Sequence, residues 1–329
     1  MTKRSGLLAV FPALLLALAA CALPAGLPFQ AAGPAFEFGL IGDIPYTPEE
    51  EAQFPALIAD LNAANLAFVV HDGDIKAGDT ECSDAQFAYI HGMFQTFRHP
   101  LIYVPGDNEW TDCHRENNGS YDPLERLAAL RALFFPTNAS LGQRTLPLLR
   151  QSATPAYAAY RENVRWHYGE VTFVGLHVVG SNNNLGRTPE MDAEYAARNA
   201  ANLAWLAESF ADARARDSRA IMLIIQANPY FERRPDQRTG FNDFLGALEA
   251  ETIAFRKPVV LVHGDSHYFR IDKPLVRSTT GRMIENFTRV ETFATPYMHW
   301  VRVVVDYSDP NVFVFHPKLV EANLANHQP

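Results

Sequence analysis

Residues 259–267 read Val-Val-Leu-Val-His-Gly-Asp-Ser-His, a short apolar run rich in β-branched residues that passes directly into a Gly-Asp turn. A run of this length and composition is typical of a buried strand. Similar apolar runs end in Gly-Asp or in another polar loop at 36–41, 66–71, 101–104 and 220–226. The recurrence predicts several strands of one sheet system, each followed by a polar loop.

The segments between these runs carry apolar residues at helical spacing, which predicts helices over 49–64, 84–97, 124–134, 189–214 and 241–256. Further strands are predicted at 171–177, 300–306 and 312–315. Apolar strands that alternate with helices indicate an α/β fold with a layered, partly parallel sheet. Because no segment has the composition of a linker, we expect one domain over 34–317 and a peripheral tail over 318–329.

The composition argues against several classes of protein. Of the 329 residues, 48% are hydrophobic and 20% are charged, which is unlike a disordered chain. The number of cysteines is 3, which is too few for a small disulfide scaffold. The chain has 28 Lys and Arg residues and 37 Asp and Glu residues, and its net charge is therefore −9. We therefore expect no nucleic-acid partner, because such binding needs surplus cationic side chains to neutralise phosphates.

The N-terminus has the pattern of an export signal. Two basic residues precede a nearly continuous apolar run over 7–20, which predicts a signal peptide over 1–25. The run is shorter than the roughly 20 residues of a bilayer span. Residues 18–21, Leu-Ala-Ala-Cys, match a lipobox, in which Cys21 is lipidated; the alternative is ordinary cleavage at a nearby alanine. Either reading predicts an exported protein, periplasmic or secreted, and only the lipobox reading adds a membrane contact, through a lipid anchor on Cys21.

Export affects the interpretation of Cys82 and Cys113, the two cysteines that remain beyond Cys21. An even number of cysteines in an oxidising compartment predicts a disulfide between them. Closing a loop of this size contributes roughly 3–4 kcal/mol on the chain-entropy model. The alternative is a pair of buried free thiols.

Four aspartates, Asp43, Asp74, Asp107 and Asp265, each follow a glycine just beyond a predicted strand. Gly-Asp is also ordinary turn chemistry, so a single pair would carry no information. In an open α/β sheet, however, the carboxyl ends of the strands meet at one edge, where ligands bind. Converging carboxylates repel one another unless a cation compensates them, so the recurrence predicts a metal site.

These motifs resemble those of the calcineurin-like metallophosphoesterase superfamily. The family pattern is Asp-x-His, Gly-Asp-x-x, Gly-Asn-His-Asp/Glu, a His before Pro, and Gly-His-x-His, each after a strand. This chain has Gly-Asp at 42–43, Gly-Asp-Ile-Lys-Ala-Gly at 73–78, Gly-Asp-Asn-Glu at 106–109, Gln-Ala-Asn-Pro at 226–229 and Gly-Asp-Ser-His at 264–267. The resemblance implies a four-layer α/β/β/α sandwich with mixed sheets, and two metal ions that hydrolyse phosphate mono- or diesters.

The resemblance assigns Asp43, Asp74 and His267 to one ion, and Asp74, Asp107, Gln226 and Asp265 to the other. Three positions that hold histidine in the family are Pro45, Gln226 and Asp265 here. The remaining donors are mainly oxygens, which favours one or two ions of the Mn, Mg or Ca type over zinc. Asn228 is an alternative to Gln226 if the register slips.

The family's leaving-group histidine is replaced by Asn108, which donates a hydrogen bond but no proton at neutral pH. His263 is the expected substitute acid, with His71 and His114 as alternatives. Without an effective acid, turnover is limited to substrates with good leaving groups.

The sequence therefore predicts an exported metal-dependent phosphoesterase that acts on a small phosphorylated substrate through metal-activated water. The alternative is a weak or inactive relative with a binding role at the cell envelope, because three family histidines are missing. A third class, a serine esterase with Ser266 as nucleophile, is less favoured because the serine lies late in the chain.

Overall fold

The computed structural model describes residues 1–2 and 34–324. Cys21 and nearly all of the predicted signal peptide lie outside the described residues. Residues 34–324 belong to one compact unit. Within the described part of the chain, no helix combines the length and apolar character that crossing a membrane requires.

Within residues 34–324, the strands form two mixed sheets. They are β1 (Phe36–Ile41), β2 (Val69–His71), β3 (Leu101–Tyr103), β4 (Leu149–Arg150), β5 (Val164–Tyr168), β6 (Val171–Gly175), β7 (Ala220–Ile224), β8 (Val259–His263), β9 (Arg270–Asp272), β10 (Phe287–Glu291), β11 (Trp300–Val305) and β12 (Phe313–Lys318). The five-stranded sheet has the order β12-β11-β1-β2-β3, and the seven-stranded sheet has the order β4-β5-β6-β7-β8-β10-β9. In the five-stranded sheet, β2 pairs in parallel with both β1 and β3, while β11 pairs antiparallel with β1 and β12. In the seven-stranded sheet, β6, β7, β8 and β10 are parallel, while β4, β5 and β9 pair antiparallel with their neighbours.

The α-helices of residues 34–324 are α1 (Pro48–Ala63), α2 (Asp84–Phe94), α3 (Pro123–Phe134), the single turn α4 (Gly180–Asn183), α5 (Pro189–Ala215), α6 (Asn242–Phe255) and α7 (Glu321–Leu324). Several of them begin at recognisable capping residues. Thr47, Asp122 and Thr188 cap α1, α3 and α5, and a proline follows each cap. This order suits a helix start, because the side-chain oxygen accepts a free backbone N–H and proline lacks that N–H.

The sheets and helices stack in four layers. One buried cluster, which includes Phe38, Phe68 and Phe173, lies between the two sheets. A second cluster joins the outer face of the five-stranded sheet to α1, α2 and α3, and a third joins the seven-stranded sheet to α5 and α6. The architecture is therefore the α/β/β/α sandwich with mixed sheets that the sequence predicts.

Four strands, β4, β5, β9 and β10, are absent from the sequence prediction. Charged side chains obscure their apolar pattern: Arg165 of β5 pairs with Glu208 of α5, and Arg289 of β10 pairs with Asp272 of β9. The predicted peripheral tail begins inside β12, and Asn323 donates a hydrogen bond to the Met298 carbonyl at 3.0 Å.

Candidate active site

Both sheets contribute carboxylates to one edge of the molecule. Asp43, Asp74 and Asp107 follow β1, β2 and β3 of the five-stranded sheet, while Asp265 follows β8 of the seven-stranded sheet. The Asp265 N–H donates to Asp43 Oδ1 at 3.0 Å and thereby joins the two sheets at this edge. The structure therefore brings the four predicted aspartates together.

The glycines of the Gly-Asp pairs create the space for these carboxylates. A Cβ on three of the four would collide with a carboxylate oxygen of another loop, whereas a Cβ on Gly73 would meet the Gln226 side chain. The contacts are Gly42 with Asp72 (1.4 Å), Gly106 with Asp74 (2.0 Å) and Gly264 with Asp43 (1.8 Å). The recurring dipeptide is thus more than turn chemistry, because three of its four glycines permit the close approach of a carboxylate from another strand end.

The aspartates themselves adopt left-handed backbone conformations. Asp43, Asp74 and Asp265 have φ values of 50°, 53° and 73°. Aspartate tolerates this region better than most residues do, but it still costs conformational energy relative to β or αR. Three such conformations at one sheet edge mark it as a candidate functional site.

Asp74 is surrounded by neutral hydrogen-bond donors. Its Oδ2 accepts bonds from Tyr46 Oη (3.0 Å), Asn108 Nδ2 (2.9 Å) and Gln226 Nε2 (3.1 Å). Its Oδ1 accepts a bond from the Asn108 N–H at 3.1 Å. The sequence analysis did not identify Tyr46 as a site residue, although its position three residues after Asp43 could have indicated it.

Gln226 is oriented differently from the predicted metal ligand. Its Oε1 accepts a hydrogen bond from the Gly180 N–H at 2.7 Å, and a backbone N–H can only donate. The amide nitrogen therefore faces Asp74, and the oxygen that a metal would need is already engaged. Asn228, the alternative, donates its backbone N–H to Asp265 Oδ2 at 2.9 Å.

Asp107 and Asp265 face each other across Gly180. A Cβ on this glycine would lie 2.5 Å from Asp107 Oδ1 and 2.7 Å from Asp265 Oδ1. Asp107 Oδ2 accepts a hydrogen bond from Ser181 Oγ at 2.8 Å, whereas its buried Oδ1 has no hydrogen-bond partner within the described residues. Ser181 belongs to the single turn α4, which the sequence analysis did not predict.

His267 lies at the outer side of the cluster. Its Nε2 is 3.6 Å from Asp43 Oδ1, and its ring packs edge-on against Tyr46 with centroids 5.3 Å apart. Burial opposes protonation, but the hydrogen bond and charge of Asp43 prevail and raise the pKa of His267. The predicted pairing of Asp43 with His267 is thus present as a contact.

Burial and neighbouring negative charges raise the pKa values of two carboxyl groups in the cluster. Burial, followed by the charges of Asp107 and Glu109, raises the pKa of Asp74 well above its usual range. Burial and the charge of Asp265 do the same to the pKa of Asp107. Lys76, which sequence reasoning missed, is buried beside these acids, and burial lowers its own pKa.

A hard divalent cation fits the chemistry of this donor set. Among residues 34–324, no group of three or more His, Cys, Asp or Glu side chains is already spaced to hold a metal. Carboxylate oxygens are nevertheless the donors that Mg²⁺, Mn²⁺ and Ca²⁺ prefer. The unpartnered Asp107 Oδ1 and the space beside Gly180 identify Asp107 and Asp265 as the pair best placed to hold such an ion, with Asp43 and Asp74 adjacent.

The candidate acids lie in different environments. Burial lowers the pKa of His263 to about 3, and its Nδ1 contacts the Gly264 carbonyl at 2.8 Å. The charges that act on His263 most are those of Arg289, Arg270 and Asp272, not the aspartate cluster. The predicted role of His263 as proton donor therefore gains no support from its position, because a histidine with this pKa is neutral at pH 7.

The two alternatives to His263 are also engaged. Burial lowers the pKa of His71 to about 4, and its Nδ1 accepts from the Gly73 N–H while Nε2 contacts the Ile44 carbonyl at 3.1 Å. His114 is exposed, and its Nδ1 lies 2.8 Å from Arg187 Nη1. Ser266 donates its hydroxyl to Glu291 and contacts no histidine among the hydrogen bonds of the described residues. It therefore lacks the base of a serine esterase.

The predicted disulfide is confirmed. Cys82 and Cys113 are bonded, with Cα atoms 5.7 Å apart and a sequence separation of 31. The bond ties the loop after β2 to the loop after β3, which carries Asp107, Asn108 and Asp112.

Comparisons with known proteins show the fold alone. No family model and no curated protein matches the chain. The solved structure of PhoD matches with a TM-score of 0.52 and 12% identity, covering 83% of this chain and 64% of the PhoD chain. Vps29 from Cryptosporidium parvum matches with 12% identity over 86% of this chain and 97% of its own, but with a TM-score of only 0.30. The likeness to PhoD agrees with the metallophosphoesterase-type sandwich expected from the sequence, and this chain spans just under two thirds of PhoD.

Proposed function

We propose that the chain is an exported member of the calcineurin-like metallophosphoesterase superfamily that hydrolyses a phosphate mono- or diester with the help of divalent cations. The observation that carries the proposal is the convergence of Asp43, Asp74, Asp107 and Asp265 from both sheets at one edge, with strongly raised pKa values at Asp74 and Asp107. Such a concentration of buried negative charge is favourable when cations compensate it.

The chain's own residues account for binding and orientation. Bound Mn²⁺, Mg²⁺ or Ca²⁺ would supply an activated water and stabilise charge on the phosphoryl oxygens. Asp107 and Asp265, which face each other across Gly180, would hold a cation, and Asp43 and Asp74 would add charge beside them. Asn108, whose Nδ2 already donates to Asp74, orients groups by hydrogen bonding but supplies no proton. Good leaving groups are therefore the expected substrates.

A specific observation favours a second candidate, a binding protein without turnover. Asp74 is satisfied by Tyr46, Asn108 and Gln226, which are neutral donors that occupy its oxygens without any cation. In this candidate the fold and part of the charge cluster persist at the cell envelope, but the chain does not hydrolyse esters.

Hydrolysis of p-nitrophenyl phosphate and bis-p-nitrophenyl phosphate, after EDTA treatment and add-back of each metal, separates the candidates. If the chain is a phosphoesterase, turnover should return with Mn²⁺, Mg²⁺ or Ca²⁺, and Asp74→Asn should abolish it. Asp79→Asn, on the exposed part of the same loop, is the matched control and should retain turnover. Absence of turnover with every metal supports the binding protein, and tight stoichiometric zinc contradicts the hard-metal assignment.

Export is part of the proposal. It is supported by the pattern of residues 1–25 and by the disulfide, since structural disulfides persist mainly in oxidising compartments. Fractionation of cells that express the full chain, with Cys21→Ala as the variant, tests both export and lipid anchoring. Loss of membrane association in the variant indicates a lipoprotein, and cytoplasmic retention of the full chain contradicts export.

A further inference from the structure

Asp112 is buried beside the aspartate cluster and holds two arginines. Its Oδ2 pairs with Arg115 Nη2 at 2.7 Å, and its Oδ1 lies 3.5 Å from Arg187 Nη2. Ser181 Oγ lies 2.9 Å from the same Oδ1 and 2.8 Å from Asp107 Oδ2. The Ser181 hydroxyl therefore links the arginine-bearing carboxylate directly to the candidate site.

The two guanidinium groups place positive charge beside the candidate site. They share one carboxylate, so their charge exceeds that of their partner. Arg115 is 44% exposed and Arg187 is 24% exposed at the side chain. Within the described residues, Arg187 Nη2 is buried and makes no hydrogen bond. Its contact with Asp112 Oδ1 at 3.5 Å is an ion pair without a hydrogen bond, so an anionic oxygen at hydrogen-bond distance would satisfy this donor better.

Arg115 lies on the side of the cluster where Asn108 is found. Arg115 Nη1 and Asn108 Oδ1 lie 3.4 Å and 3.0 Å from the point that a Cβ on Gly78 would occupy. Because Gly78 has no side chain, Arg115 and Asn108 can both approach this point, and Arg115 Nη1 donates a hydrogen bond to the Gly78 carbonyl at 3.4 Å. Arg187 also contacts the Thr111 carbonyl and His114, which holds its guanidinium over the loop after β3.

We propose that Arg115 and Arg187 form an anion subsite next to Asn108, and that the substrate carries a second anionic group, a phosphate or a carboxylate, on the leaving-group side of its scissile phosphate. The inference rests on the proposed function, since it takes the scissile phosphate to lie at the four aspartates. Arginine suits this role because its fixed fork of N–H donors matches carboxylate and phosphate oxygens. Asp112 is a positioning residue that orients both guanidinium groups.

Equilibrium binding of non-hydrolysable phosphonates tests the subsite independently of turnover. Methylphosphonate carries one anionic group, while phosphonoacetate and methylenebisphosphonate add a carboxylate or a second phosphonate. Calorimetry at fixed free Mg²⁺ should show that the wild type prefers at least one of the two larger ligands by about tenfold or more. Arg115→Gln and Arg187→Gln should each reduce that preference while leaving methylphosphonate affinity nearly unchanged.

Arg282→Gln is the matched control, because it removes the same charge from an exposed loop that precedes β10. Asp112→Asn should also reduce the preference, and Arg115→Lys should restore part of it. An unchanged preference in both arginine variants, with thermal unfolding like the wild type, overturns the subsite. If the preference is present and arginine-dependent but turnover is absent, the subsite stands and the proposed hydrolysis fails. If turnover is present without the preference, the hydrolysis stands and the subsite fails.

Discussion

Asp265 has a carboxyl group that is costly to ionise in the folded chain. Burial, with the charges of Asp43 and Glu291, raises its pKa to about 7, although the Asn228 N–H favours the charged form. In the unfolded chain an aspartate has a pKa of about 3.9. Between these two values the folded state binds more protons, so the stability contributed by Asp265 is fully present below about pH 4 and is lost as pH rises through 7.

We therefore expect EDTA-treated protein to lose stability relative to Asp265→Asn as pH rises from about 4 to 7. Denaturant unfolding of both proteins at several pH values measures the difference. Added Mn²⁺ should recover stability in the wild type at pH 7 and above, since a ligand that binds only the folded state stabilises it. A difference between the two proteins that does not change with pH contradicts the assignment.

At the level of single elements, the turn α4 brings Gly180 between two carboxylates. Its φ is not in the left-handed region, so the effect of a Cβ is steric: it would lie 2.5 Å from Asp107 Oδ1 and 2.7 Å from Asp265 Oδ1. Gly180→Ala should therefore weaken divalent-cation binding more than it weakens folding. Titration of the metal-free protein with Mn²⁺, followed by calorimetry, measures the affinity.

Gly246→Ala is the control for this substitution. Gly246 lies within α6, and a Cβ there would have nothing within 4 Å. The replacement should stabilise the fold by about 0.5–1 kcal/mol, because alanine is the better helix former, and should leave Mn²⁺ affinity unchanged. Equal effects of both variants on Mn²⁺ affinity would show that Gly180 has no special place in the site.

The disulfide acts on the loops that follow β2 and β3. Replacing Cys82 and Cys113 together by serine should lower the free energy of unfolding by roughly 3–4 kcal/mol on the chain-entropy model. Urea denaturation with and without reductant measures the loss, and the double variant should be insensitive to reductant. Wild-type protein whose unfolding midpoint is unaffected by reductant, with reduction verified by mass, contradicts a stabilising role.

The sequence predicted the elements that carry regular apolar runs, and it predicted the residues at their ends. Asp43 and Asp265 are far apart in the chain, but each follows a strand whose neighbours could be inferred, so their convergence followed from the fold class. The orientation of Gln226 could not be predicted, because it depends on the N–H of Gly180 in a different loop. Tyr46 and Ser181 were missed for the same reason: their partners come from other strand ends.

At the scale of the whole molecule, the candidate site depends on the packing of two sheets against each other. Phe68 is fully buried between them, with its ring 4.8 Å from Phe38 and 5.1 Å from Phe173, centroid to centroid. It precedes β2, at the opposite end of that strand from Asp74. A change here should therefore disturb sheet packing without touching a predicted cation ligand.

Phe68→Ala should lower the free energy of unfolding by about 3–5 kcal/mol, because it removes buried apolar surface and leaves a cavity between the sheets. Tyr89→Ala on the exposed face of α2 is the control and should change stability by less than about 0.5 kcal/mol. Denaturant unfolding of both variants measures these values, and Mn²⁺ titration of the folded Phe68→Ala protein should give nearly wild-type affinity. If Mn²⁺ affinity falls together with stability, the strand-end loops do not hold their geometry independently of the inter-sheet core, and the edge cannot be treated as a site separable from it.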